Sequence, residues 1–415
     1  AAVERAGEAA ELAFDVEKDL RWKVALPAGS SSPCIEGDRL FITGADGEKL
    51  VMLALDRKTG KELWRREREA PPPSMKAHVD ADPAAPTPCT DGERVVFYFG
   101  DWGLVVTDLD GELLWEKPLP VPEAAFGIGT SPVLVDDMIV LSRDGCPDSG
   151  IYAFAKEDGA ERWSVPRIGF TYSFGTPFVW RNAERRELVV AGTQRLTGLD
   201  PKDGTELWEL PGLTSFVCTT PTADRDTLYF AAWSTPDAAP DERNEVSFVD
   251  IPFTEEEKAD GHKMFARLDK DGDGRILREE LPECRAKDAF AFLDADGDGA
   301  VVVEELLPIV TMPKGPGNNL LVAVAAGATG AVGEDHLRWT YRRGLPYVSS
   351  PLLHRGRLYM VKSGGIVTCL DPATGEMHFG RERLDEHSEY YASPVGIGAR
   401  LIVCWSAGPL YVLRS

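Results

Sequence analysis

One repeated unit limits what this chain can fold into more than any other feature. It opens on Ser or Thr followed by Pro, at Pro33, Pro88, Pro132, Pro177, Pro221, Pro351 and Pro394. The steps between these prolines are 55, 44, 45, 44, 130 and 43 residues, a regular period interrupted once by a large excess. Closing aromatics keep the same register at Trp64, Trp115, Trp163, Trp208, Trp339 and Phe379. The first unit shows what lies between. Arg39 to Thr43 and Val51 to Leu55 are short runs of strand formers. Asp56 to Gly60 (DRKTG) is a turn, whose Asp can bond its own backbone and whose Gly can take a positive φ. Lys61 to Arg65 is then a fourth short strand. One such sheet cannot bury both of its faces. Four short strands per unit at this period predict an all-β fold, a β-propeller of four-stranded antiparallel blades. An ordinary β-sandwich would not keep the register.

The two ends of the chain are complementary. Asp19 to Pro27 (DLRWKVALP) reads as a fourth strand, with Trp22 at the closing position and no three strands before it. Tyr391 to Ser415 holds three strands and no closing Trp. The N-terminal strand is therefore expected to complete the last blade, giving seven blades and removing two open sheet edges. The alternative is an eighth blade beyond Ser415. The 130-residue step is one blade plus an insertion. This divides the chain into a leader at 1–18, propeller at 19–234, an inserted module at 235–317, and propeller again at 318–415. The insertion replaces the loop between the second and third strands of the fifth blade. Strand order then puts it on the same rim as the connections between blades, including the Pro-rich exposed loop from Arg65 to Pro86.

Composition narrows the partners. A net charge of −23 argues against nucleic acid or an anionic membrane. No apolar run reaches eighteen residues, so no membrane-spanning helix is expected. No secretory leader is recognisable, and the absence of an initiating Met suits a mature form, a trimmed form or a fragment. The seven cysteines are spread about one per unit, without a CxxC or vicinal pair, and most read as small buried hydrophobes. They leave the redox compartment open.

The insertion carries the sharpest chemical pattern. Asp269 to Glu280 reads DKDGDGRILREE and Asp294 to Glu305 reads DADGDGAVVVEE, both fitting the D-x-D-x-D-G-x5-E calcium loop of an EF-hand. Carboxylates at loop positions one, three and five converge as the chain coils round one cation. These are Asp269, Asp271 and Asp273 in the first loop, and Asp294, Asp296 and Asp298 in the second. Gly274 and Gly299 permit the sharp turn that follows. The backbone carbonyls of Arg275 and Ala300 add oxygens, and Glu280 and Glu305 close each cage with both carboxylate oxygens. About seven oxygens in a flexible loop favour Ca²⁺ over Mg²⁺. Ile276 and Val301 are placed to join the loops through a short ribbon, and Pro282 should cut the first exiting helix short. Leu277 and Val302 at position nine leave no side chain to steady the usual water, which should weaken binding. Residues 235–317 hold 21 Asp/Glu against 10 Lys/Arg, so without metal their repulsion should loosen the module.

The pattern Ala54-x-Asp56-x-x-Thr59-Gly60-x-x-x-Trp64 resembles the tryptophan-docking motif of the pyrroloquinoline-quinone (PQQ) propeller superfamily. Gly198 to Trp208 and Cys369 to Phe379 are weaker copies, and the second, third and fifth blades keep only parts of it. Runs such as PTPCTDGERVVFYFGDWGL and PYVSSPLLHRGRLYMV resemble bacterial PQQ-like repeat propellers related to the outer-membrane assembly lipoprotein BamB, some of which carry an EF-hand pair. The resemblance implies an extracytoplasmic protein. It leaves two roles, since the superfamily contains both scaffolds and quinoprotein dehydrogenases. The chain lacks the vicinal disulfide common in the alcohol-oxidising members, and no residue set for holding PQQ is recognisable.

Other side chains suit a rim. His78, Asp80 and Asp82 lie on the long first connection. Arg167, Tyr172, Tyr347, His387 and Tyr390 each fall between a closing aromatic and the next entry Pro, so all are predicted to face one channel mouth. They read either as a polar binding patch or as rim residues bonded to loop backbone. His262 and His336 read as surface residues. No catalytic residue is assigned. The expectation is a monomeric, non-catalytic Ca²⁺-binding scaffold with a protein or peptide partner at the insertion-bearing face. The alternatives are a PQQ-dependent oxidoreductase with its site at the channel mouth, and a carbohydrate- or polymer-binding propeller using Trp102 and Trp405.

Overall fold

The computed structural model describes residues 16–71, 81–121, 127–144, 149–167, 173–214, 216–234, 251, 254, 256–257, 260–284, 287, 290–294, 297–311, 317–333, 335–384, 390–405 and 410–414. Among them, antiparallel sheets follow one another in chain order. The first is built from Cys34–Glu36, Arg39–Asp46, Lys49–Asp56 and Glu62–Glu69, paired strand to neighbouring strand. Four-stranded sheets of the same order start at Cys89, Val133, Thr222 and Leu352. The sheet starting at Phe178 gains a fifth strand, Gly330–Ala331, which runs parallel to Trp208 and Glu209. The last sheet, from Val395, has three strands.

Strand alternation explains how these sheets bury both faces. In Arg94–Phe99 every residue after the first is buried. Val95, Phe97 and Phe99 pack with Phe41, Leu50 and Met52 of the preceding sheet. The intervening Val96 and Tyr98 pack with Ile139 and Leu141 of the following one. Side chains of period two thus serve opposite neighbours. The same division recurs further along, where Tyr229 and Ala231 meet Leu358 and Met360 while Leu228 and Phe230 face Val189 and Leu196.

Two further kinds of tie join neighbouring sheets. The entry hydroxyls form a relay: the N–H of Ser32 donates to Thr87 Oγ1 (2.9 Å), that of Thr87 to Ser131 Oγ (2.9 Å), and that of Ser131 to Thr176 Oγ1 (3.1 Å). The same bond recurs further along, from Thr220 to Ser350 (2.9 Å) and from Ser350 to Ser393 (3.0 Å). Thr87, Ser131, Thr176, Ser350 and Ser393, each just before an entry Pro, are therefore inter-sheet acceptors. The second tie is the closing tryptophan. Trp64 Nε1 donates to the carbonyl of Leu109 (3.1 Å), Trp115 to that of Lys156 (3.0 Å) and Trp339 to that of Pro372 (3.0 Å). Each ring covers a turn glycine of the next sheet. Gly111 has φ +84°, and a Cβ there would lie 2.6 Å from Trp64 Cδ2.

Trp208 departs from this pattern. It is fully buried, and its Nε1 donates to Glu187 Oε2 (2.6 Å) within its own sheet. The fifth sheet offers no D-x-x-T-G turn for it to cover. Its corresponding segment instead supplies the added strand Gly330–Ala331 beside Trp208.

The ends differ in part from expectation. Residues 20–27 form no strand, and the last sheet stays three-stranded among the described residues. Leu20, Val24 and Leu26 are exposed, so this segment has no apolar face holding it to a sheet. Trp22 nevertheless occupies a docking position: its Nε1 donates to the carbonyl of Arg57 (3.0 Å), and its ring covers Gly60 of the first sheet. The long connection after Trp64 also begins as strand, through Glu69. Antiparallel pairing with Lys49 to Leu53 holds it there, and ion pairs of Arg65 with Asp46 (3.0 Å) and Lys49 with Glu67 (2.7 Å) accompany it. Its far end is tied down too. Ala84 is buried, and the Thr43 hydroxyl bonds the carbonyls of Ala84 and Pro86 (3.1 and 2.9 Å). Six cysteines are free thiols, of which Cys369 is buried and the other five are half-buried; Cys146 lies outside the described residues. Burial pushes the Cys218 thiol up to about 12.

Replacing Gly111 with Ala should cost about 1–3 kcal/mol more than replacing Gly37 with Ala. Both glycines have positive φ, but a Cβ at Gly37 meets open space. Equal losses of denaturation midpoint in the two variants would contradict the docking role. A second outcome concerns Asp91, which accepts from the N–H groups of Glu93 (3.0 Å) and Arg94 (2.9 Å) and pairs with Lys156 of the next sheet (2.9 Å). Burial alone would raise its carboxyl. Lys156 and the two N–H groups outweigh that and bring it from 3.8 to about 2. Its folded value lies below the unfolded one, so the stabilisation is present above about pH 4 and is lost as the pH falls through 2. Asp91→Asn should therefore lower stability by about 1 kcal/mol at pH 7, a figure reduced for the group's partial exposure. The difference from the unmodified chain should close between pH 4 and 2 in denaturant titrations.

Candidate metal centre

The chain leaves the fifth sheet after Thr227–Ala232 and returns at Leu320–Ala325, and these two strands pair directly. The base of the excursion is stitched shut. The Ser234 N–H donates to Asn319 Oδ1 (2.9 Å), and Asn319 Nδ2 donates back to the Ser234 carbonyl (3.0 Å). The Asn318 N–H donates to the carbonyl of Gly212 (3.0 Å), in the connection leading out of the fourth sheet. The insertion therefore springs from the end of the sheet that carries an inter-sheet connection, as strand order requires.

Beyond that base lies a small core of its own. Helix α1 (Gly261–Leu268) starts at Asp260, whose side chain accepts from the His262 N–H (3.1 Å). It buries Met264, Phe265 and Leu268. Helix α2 (Phe290–Leu293) and helix α3 (Val303–Thr311) flank the second acidic loop. Ile276 pairs with Val301 and Leu277 with Ala300 in a two-stranded antiparallel ribbon. Ile276, Val301, Leu268, Leu281, Leu293 and Leu306 pack together with almost no exposure. No helix follows the first loop through residue 284 among the described residues, in keeping with Pro282. His262 is exposed and His336 half-buried.

The ribbon fixes the spacing of the two acidic loops. In the first, Asp269, Asp271 and Asp273 each bring a carboxylate oxygen within 4.8 Å of the others. Asp269 is locked in place by accepting from the N–H groups of Gly272 (2.8 Å) and Gly274 (2.9 Å). Both glycines have positive φ, +75° and +86°, which lets successive N–H groups turn inward. Glu280 reaches back across the loop, its two oxygens accepting from Lys270 and Leu277 N–H (2.7 Å each). Those bonds, Leu277 first, hold its carboxyl below the usual range. The second loop repeats part of this backbone bonding. Asp294 accepts from Asp298 N–H (3.1 Å) and Gly299 N–H (3.0 Å), and Glu305 accepts from Val302 N–H (2.8 Å). Asp294 and Glu305 are both only 6 % exposed. Asp296 lies outside the described residues. A hard cation with oxygen ligands fits the first loop by donor type and convergence. One contact had no counterpart in the sequence pattern: Arg275 Nη2 donates to Asp298 Oδ2 across the ribbon (2.7 Å).

Among the described residues, the predicted rim groups Asp82, Arg167, Tyr347 and Tyr390 are each engaged with the surrounding fold. Arg167 is buried, where it pairs with Asp144 (3.1 Å) and donates to the Ala191 carbonyl (3.2 Å). Burial pushes the Asp144 carboxyl up, against the pull of Arg167. Tyr390 is 1 % exposed, Tyr347 meets the Trp233 ring edge-on, and Asp82 caps the turn at Ala84 (2.8 Å). His78, Asp80, Tyr172 and His387 lie outside the described residues. Trp102 and Trp405 are half-buried and pack against sheet cores. No helix among the described residues is long and apolar enough to cross a membrane.

Four-stranded antiparallel sheets docked in succession, tryptophan on glycine turn, define a PQQ-repeat β-propeller. The chain belongs to the family described as outer membrane protein assembly factor BamB, whose model matches residues 5–141, 110–232 and 147–378. Among solved structures it is similar to BamB from Moraxella catarrhalis, with TM-score 0.55 and 14 % identity over 93 % of this chain and 85 % of that one. It is also similar to a europium-containing methanol dehydrogenase, with TM-score 0.50 and 12 % identity over 92 % and 72 % of the two chains. At such identities the likeness is one of fold. No curated protein sequence matches the chain.

Ile276→Ala should destabilise the insertion by about 2–4 kcal/mol, since that side chain is fully buried in its core. Limited proteolysis should then cut within residues 254–311 much faster, while the main thermal transition of the sheets stays in place. Equal loss of both would show that the insertion has no separate core.

Proposed function

We propose that this protein is a seven-bladed propeller with an inserted EF-hand pair at 235–317, acting as a Ca²⁺-binding, non-catalytic scaffold for a protein or peptide partner outside the cytoplasm. The observation that carries the metal reading is the convergence of Asp269, Asp271 and Asp273 within 4.8 Å, in a loop that Glu280 closes. In this reading Asp269, Asp271, Asp273, the Arg275 carbonyl and Glu280 hold one Ca²⁺. Asp294, Asp296, Asp298, the Ala300 carbonyl and Glu305 hold the other. The cation offsets the repulsion of the acidic module and stiffens it at the rim where it joins the inter-sheet connection. Trp22 on Gly60 supports the ring count, because it docks on the first sheet as Trp64, Trp115 and Trp339 dock on the sheets that follow them. Membership of a family described as an assembly factor supports a partner of protein chemistry and an extracytoplasmic place.

Calorimetric titration of the chelator-treated chain with CaCl₂ should show two ions bound. Glu280→Gln and Glu305→Gln should each remove one and weaken that loop by roughly a hundredfold or more, as expected when a charge-paired bidentate ligand is halved. Immobilised chain should capture its partner in Ca²⁺ and release it in chelator. Silence in both experiments, together with quinone absorbance and dye reduction after reconstitution with PQQ and Ca²⁺, would replace the scaffold by an oxidoreductase.

A further inference from the structure

We propose that Arg275 makes the two acidic loops unequal, by holding with its guanidinium the carboxylate oxygen that the second loop would give to a cation. The inference rests on the calcium reading above and goes beyond it, because it assigns an affinity-setting role to a side chain outside either ligand set.

The geometry divides the work of each fifth-position carboxylate. In the first loop, Asp273 Oδ1 accepts the N–H of Arg275 (2.8 Å), and Asp273 stands among the converged carboxylates. In the second loop, Asp298 Oδ1 accepts the N–H of Ala300 in the same way (3.0 Å). Its Oδ2 accepts from Arg275 Nη2 (2.7 Å). A cation entering the second loop at Asp298 must therefore displace or share with a fixed positive charge. The reverse relation does not exist. The residue matching Arg275 in the second loop is Ala300, which has no side chain able to reach Asp273.

The ribbon makes the link durable. Arg275 directly precedes Ile276, whose pairing with Val301 joins the loops and whose side chain is fully buried. The backbone of Arg275 thus belongs to the first loop while its guanidinium serves the second. An ion in the first loop steadies that backbone and leaves the guanidinium on Asp298. The first loop fills at low Ca²⁺, and the second only at higher concentration.

The test is calorimetric titration of the full chain with CaCl₂, with one loop silenced at a time. In a Glu280→Gln background only the second loop reports, and adding Arg275→Ala should tighten it about fivefold, the size of one exposed ion pair no longer competing. In a Glu305→Gln background only the first loop reports, and Arg275→Ala should change it by less than about twofold. Arg275→Lys, which keeps the charge, should retain most of the weaker affinity. Both partners are exposed (45 % and 42 %), so the fivefold difference should shrink in 0.5 M NaCl, which a merely structural role would not produce. An unchanged or weaker second loop on Arg275→Ala, with two ions still bound by the unmodified chain, overturns this inference alone. If the unmodified chain takes up no Ca²⁺, the calcium reading falls and this inference with it.

Discussion

A tryptophan from one sheet lies on a glycine turn of the next, and the rest of the architecture depends on that contact. A lone four-stranded sheet would expose one apolar face to water. Covering it with an identical sheet only moves the exposed face along by one unit. At Trp64, Trp115 and Trp339 the ring on the glycine fixes the angle and spacing at which one sheet meets the next, because the indole N–H also takes a carbonyl of the same turn. The contact requires Gly for two reasons at once. The turn needs a positive φ, and the ring occupies the space of a Cβ. With that spacing set, alternate residues of strands such as Arg94–Phe99 can be apolar throughout and still find a partner on either side.

The hydroxyl relay near the entry prolines has a complementary task. Pro has no N–H, so the residue before it carries the last donor before each inner strand. Ser and Thr at that position provide both a donor for the following sheet and an acceptor for the preceding one. That is why the entry signature is a hydroxyl residue and Pro together. The ring contact and this relay bind the sheets at their fourth-strand and first-strand edges.

Inserting a strongly acidic module into such a structure is tolerable only where the ladder is not interrupted. The fifth sheet meets that condition. Its second and third strands pair over six residues, and a reciprocal Ser234–Asn319 clasp closes the gap behind them. The module can then rely on its own small core without disturbing the sheets. The sheet bearing it is also the one whose turn fails to dock Trp208. There a short parallel strand and Glu187 replace the usual contact, so the insertion coincides with the most irregular junction among the described residues.

Much of this was legible in one dimension. Period, entry signature and closing aromatics foretold the succession of sheets, and two matching acidic loops foretold the ribbon of Ile276 and Val301. Those features are local, since a turn, a strand period and a cation loop are each specified within about a dozen residues. Other features depend on neighbours far along the chain. Residues 20–27 have the composition of a strand but no ladder partner, and their tryptophan docks all the same. Arg65 to Glu69 looks like a charged loop and becomes strand by antiparallel backbone pairing with Lys49 to Leu53. Arg167 and Tyr390 look like rim groups and are buried, because the depth of a connection is set by the sheets packed around it. The amino-acid order alone thus determined the repeating sheet and the spacing of the carboxylates in the two acidic loops. Only the folded chain decided which tryptophan lies on which glycine, which polar groups are covered, and that Arg275 reaches Asp298. Those outcomes depend on distances between residues remote in sequence, which no short window encodes.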